Sequence, residues 1–191
     1  MKSYEQLPEG YGLLYGIDLQ KDKRLALLVN LLSLGIAVLL TVPAAILVPL
    51  STLFRNGEGD LSIGKVAVTM VLTVLYVVLH ELVHGVAMKL CGTKRVKYGF
   101  TGMYAYAGSD DYYAKGAYLF IALAPVVLWG VVLAIAAPLV SRDWFWVVYF
   151  VQIMNLSGAA GDFYVTAKFS RLTGDVLIRD YGVGMQIYGK S

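Results

Sequence analysis

Residues 66–90 form an apolar run long enough to cross a bilayer, yet the run contains His80, Glu81 and His84. A membrane helix needs about 17–25 mostly apolar residues, and ionisable side chains inside one are costly unless they have partners or a task. Both histidines of the chain lie here, so this run constrains fold and chemistry together. The spacing His80-Glu81-Leu82-Val83-His84 places two imidazoles one helical turn apart on one face, where both can bind one zinc ion. Glu81 between them is placed to act as general base on a water at the metal.

Three further stretches have the length and apolarity of membrane helices: 25–49, with Pro43 as a kink; 117–140, broken by Pro125 and ending near Pro138; and 144–167, opened by Trp144 and Trp146 as interfacial anchors. The composition agrees. Hydrophobic residues make up 58% and charged residues 15%, against about 45–50% and about 25% in soluble domains. The expected fold class is therefore mainly α: a polytopic membrane protein of four transmembrane helices, in a single membrane-embedded domain over residues 1–191. One cysteine, Cys91, excludes an internal disulfide framework. The first twenty residues are polar, contain Pro8, Gly10, Gly12 and Gly16, and do not read as a signal peptide.

Lys and Arg set the orientation. Thirteen of the sixteen lie before the first span, at the end of the second or between it and the third, or after the fourth; only Arg55, Lys65 and Arg142 lie on the other side. Both termini are expected in the cytoplasm of a cell-membrane protein. Residues 94–106, rich in aromatics and glycine, read as a short cytoplasmic β-hairpin. The tail 175–188 reads as holding a further strand, with a turn around Asp180-Tyr181-Gly182-Val183-Gly184.

Two histidines do not complete a catalytic zinc site, which usually has three protein ligands and a water. There is no third histidine, so the candidate is a carboxylate, and depth selects among them. Counted from Lys65, His80 and His84 lie in the cytoplasmic third of the bilayer, and Asp162, counted from Trp144, reaches a similar depth at about 1.5 Å per residue. Asp175 and Asp180 fall beyond Lys168 and Arg171, outside the lipid, and Glu58 and Asp60 are on the opposite side. Asp162 is the expected third ligand; the alternative is an interfacial aspartate paired with Lys168 or Arg171. Gly158 and Gly161 serve either close helix packing or a loosening that turns Asp162 toward the metal. Asn155, about two turns from Asp162, serves either a substrate or ligand hydrogen bond or adhesion between helices.

These residues, together with Leu7-Pro8-Glu9-Gly10-Tyr11, Tyr98-Gly99-Phe100 and Ala124-Pro125, give a chain that resembles the zincin peptidase family of small membrane proteins. Through that family it resembles the site-two protease group of intramembrane metalloproteases. The resemblance implies zinc held by His80, His84 and Asp162, Glu81 as base and then proton donor, and Asn155 beside the metal as a substrate-positioning group. The site-two group carries Asn-Pro and Leu-Asp-Gly in this last region, whereas here Leu156 follows Asn155 and Phe163 follows Asp162.

The expected function is a zinc-dependent intramembrane peptidase acting on membrane-spanning or membrane-proximal protein substrates, with the lipid bilayer as its other partner and no nucleic acid. The rival is a catalytically inactive zinc-binding membrane scaffold or regulator. A metal transporter is disfavoured, because the first and third spans offer almost no polar groups beyond Asn30, Ser33 and Thr41.

Overall fold

The computed structural model describes residues 2–18, 20–55, 61–102 and 104–190; Glu58, Asp60 and Met103 lie outside them. Helices α1 (Lys23–Leu47), α2 (Ile63–Leu90) and α3 (Lys115–Ala136) are each long and apolar enough to cross a membrane, and they coincide with the first three predicted spans. Their apolar side chains are left uncovered in a way water would not tolerate: Leu39 is 71% and Ile46 79% exposed on α1. These helices mark a membrane-associated protein.

The fourth predicted span, 144–167, is instead two shorter helices, α4 (Phe145–Gly158) and α5 (Ala160–Ser170). Regular helix stops at Ala159, with φ −82° and ψ 15°. Gly158 and Gly161 flank the stop, and glycine costs a helix about 1 kcal/mol relative to alanine. Asp162 consequently sits in the first turn of a new helix, where a negative charge is favoured by the exposed N–H groups.

The chain divides into two compact units. The first comprises Met1–Val29, His80–Pro125 and Gly161–Ser191. It contains all the named strands: β1 (Ser3–Tyr4), β2 (Tyr11–Ile17), β3 (Lys97–Phe100), β4 (Ala105–Gly108), β5 (Tyr112–Ala114), β6 (Val176–Asp180) and β7 (Met185–Lys190). Five of them form an antiparallel sheet in the order β1-β5-β6-β7-β2, while β3 and β4 pair as a separate hairpin with Tyr98 opposite Ala107. Only the hairpin and one tail strand were expected; the sheet also recruits the N-terminal segment. Tyr113, Ile178 and Ile187 from the sheet pack with Met88 of α2, Ile121 of α3 and Phe169 of α5 to form the core of this unit. All thirteen Lys and Arg residues assigned above to one side belong to it.

The second unit comprises Asn30–Leu79 and Val126–Ala160. Trp146 and Val147 pack there with Ala44, Leu53 and Ile153. Trp146, expected as an interfacial anchor, is 1% exposed and donates its indole N–H to the Val48 carbonyl at 3.0 Å; Trp144 remains exposed. Lys65 is also buried, its ammonium donating to the carbonyls of Thr52 (3.1 Å) and Arg55 (2.8 Å).

Asn155 lies in this unit and is fully buried. Its amide oxygen accepts from the Tyr76 hydroxyl at 2.9 Å, and its NH₂ donates to the Val126 carbonyl at 3.2 Å. These bonds join three helices within an apolar unit, which is the adhesive role foreseen as one of its two uses. Asn155→Ala is expected to destabilise the protein by about 1–2 kcal/mol, since such bonds are worth roughly 0.6 and up to about 1.7 kcal/mol each. Thermal unfolding in detergent, run as a double-mutant cycle with Tyr76→Phe, measures it; additive effects would rule the Tyr76 bond out as the source.

Candidate metal centre

His80 and His84 are one turn apart on α2, with ring centroids 4.9 Å apart. Asp162, from the first turn of α5, reaches both: its Oδ2 is 3.5 Å from His80 Nε2 and 3.7 Å from His84 Nε2. The donor atoms of the three side chains all lie within 4.8 Å of one another. Asp162 therefore joins the histidines. Lys168, its expected alternative partner, lies 4.8 Å over the ring of Tyr15.

His84 Nδ1 is 2.9 Å from the carbonyl oxygen of Ile121 on α3. A carbonyl only accepts, so Nδ1 carries the proton and donates it. In the neutral ring this leaves the Nε2 lone pair facing Asp162. A lone pair and a carboxylate oxygen facing each other can share a cation, either a proton that makes the pair ionic or a metal ion. The separations of 3.5 and 3.7 Å exceed ordinary N–H···O hydrogen bonds. They match the edge of a zinc tetrahedron, about 3.4 Å for donors about 2.1 Å from the metal. Two imidazoles and one carboxylate are three protein donors, the number usual in catalytic zinc sites, whereas structural zinc sites take four.

Glu81, between the two histidines in sequence, has the backbone N–H of Ala107 on β4 near its carboxyl. The hairpin is fixed against α2 at one further point. Gly85, directly after His84, faces the Tyr98 hydroxyl of β3 so closely that a Cβ would overlap it.

Residues 73–176 match the model of a family described as "Putative zincin peptidase". The chain belongs to this family. The matched segment contains His80, Glu81, His84 and Asp162. Neither the curated proteins nor the solved structures contain a significant match. Membership in a zincin peptidase family implies zinc, and the His80–His84–Asp162 group is where this chain can hold it.

Two main-chain groups beside this centre carry no signal in the sequence. Ala107 acts through its backbone, so no residue type could reveal it. The Ile121 carbonyl is likewise a main-chain group. Asp180, which the sequence places beyond the lipid, is buried in the same unit: its Oδ1 accepts from the Gly182 N–H at 2.9 Å and its Oδ2 lies 2.9 Å from the Tyr118 hydroxyl. Asp175 is exposed.

Burial pushes the Asp180 carboxyl up to about 6. Because this is above the ordinary value of 3.8, the folded state binds the proton more tightly than the unfolded chain. Its contribution is thus fully present below about pH 4 and lost as pH rises through about 6, at roughly 1.4 kcal/mol per pKa unit. The melting temperature of the wild type is expected to fall over that window more steeply than that of Asp180→Asn, which carries no titrating group. Parallel curves for the two proteins would remove Asp180 as the cause.

Proposed function

We propose that this protein is a zinc-dependent intramembrane peptidase of the site-two type, acting on membrane-spanning or membrane-proximal protein substrates. The observation that carries the reading is the convergence of His80, His84 and Asp162 on one point, with Glu81 on the same helix and α2 apolar enough to span a bilayer. Zinc held by these side chains supplies Lewis acidity toward a peptide carbonyl and toward water. Glu81 takes the proton of the attacking water and returns it to the leaving amine, breaking the C–N bond.

A helical peptide bond is shielded by its own turn, so a substrate span must unwind before cleavage. The β3–β4 hairpin supports this step: a two-stranded ribbon has free edges to which an extended segment can add as a further strand. Four passes, the fourth made by α4 and α5 in succession, with both termini on the cytoplasmic side, fit the concentration of Lys and Arg in the unit that contains the metal ligands.

Purified protein in lipid nanodiscs, with single-span substrates and mass spectrometry of the products, tests the reading. Cleavage lost on chelation and restored by zinc is expected. A zinc-loaded protein that leaves every substrate intact would favour the scaffold or regulator instead.

A further inference from the structure

In an α-helix each carbonyl accepts from the N–H four residues on. For Ile121 in α3 that residue is Pro125, which has no N–H. The proline ring also crowds the carbonyl four residues back and tilts it away from the helix axis. Ile121 and Pro125 are both buried, so water is not at hand to satisfy the oxygen left over. Inside an apolar environment such an orphan is costly, and proline is tolerated in membrane helices where another group takes its place. Here the replacement is the His84 Nδ1–H, 2.9 Å from the oxygen.

We propose that Pro125 is a positioning residue for the metal centre: it releases the Ile121 carbonyl from the helix ladder so that this carbonyl orients His84 and presents Nε2 to the metal. The inference rests on the zinc reading above and extends it to a residue that touches neither metal nor substrate. Outer-shell partners of this kind fix ring orientation and tautomer, and losing one costs roughly 10–100-fold in metal affinity. The third helix is thereby coupled to the ligand pair on the second through one main-chain atom.

The test uses the full-length protein, with zinc affinity measured by chelator competition and the ligand field read from the visible absorption of the Co²⁺-substituted form. Pro125→Ala restores the N–H, which recaptures the Ile121 carbonyl. Zinc affinity is expected to fall about tenfold, the lower end of the range because a carbonyl has two lone pairs. The Co²⁺ bands should shift while the metal-free melting temperature holds or rises, since alanine favours helix. Pro125→Gly also restores the N–H and should share the loss of affinity despite its weaker helix propensity. Both variants binding zinc within about twofold of wild type with unchanged Co²⁺ spectra would overturn the proposal. So would losses of affinity that merely track losses of melting temperature. A wild-type chain that binds no zinc would overturn the metal reading itself, and this one with it.

Discussion

Glu81→Gln is expected to bind zinc as the wild type does and to lose cleavage by at least about 10³-fold, within the range that positioned acid–base groups contribute. Glutamine has the same shape, and its amide oxygen can still face the Ala107 N–H that lies near the glutamate. What it lacks is a site that can take a proton from water and return it to an amine. The group that can hold the metal, His80, His84 and Asp162, is untouched. Metal content by mass spectrometry and product formation on one substrate, measured side by side, separate the two roles. Cleavage near the wild-type rate would mean the proton moves through some other group.

Asp162→Ala is expected to weaken zinc binding by more than the roughly 10–100-fold typical of an outer-shell partner, because it removes a ligand rather than a support. Its Oδ2 is the atom that both Nε2 nitrogens face, and two imidazoles alone do not make a zinc site. The fold should lose little, since a negative charge in the first turn of a helix is worth about 0.3–1 kcal/mol. Chelator competition gives the affinity and circular dichroism the helix content. Zinc held at wild-type strength by this variant would place the third ligand elsewhere.

Those two residues were legible in the sequence for different reasons. His80, Glu81 and His84 announce themselves because ionisable side chains are costly in an apolar run and their spacing equals one helical turn. Asp162 was reached only by counting depth along two spans, an argument that holds because α-helical rise is constant. The structure brings Asp162 beside both histidines, although the predicted fourth helix is interrupted at Ala159, three residues before it. The five-stranded sheet was mostly illegible. Its strand β2 pairs with β7 across nearly the whole chain, with a register irregularity between Leu13 and Tyr15, so Tyr11–Ile17 shows no clean alternation. The supports of the site were hidden for another reason: Ile121 and Ala107 act through main-chain atoms, which every residue possesses. Only Pro125 left a trace, as a residue whose missing donor can be counted back four places.

Gly85 completes the sequence His80-Glu81-Leu82-Val83-His84-Gly85, and it has no part in holding metal. Its absent side chain is the seat of the Tyr98 hydroxyl, where a Cβ would collide. A pattern search demanding glycine after the second histidine thus selects two properties at once. The first five positions select for metal chemistry, and the sixth selects for a hairpin docked on the helix. A change at the sixth position alone would force the Tyr98 ring to re-seat while leaving in place every side chain that can hold metal, so the ribbon and the metal group can be altered separately.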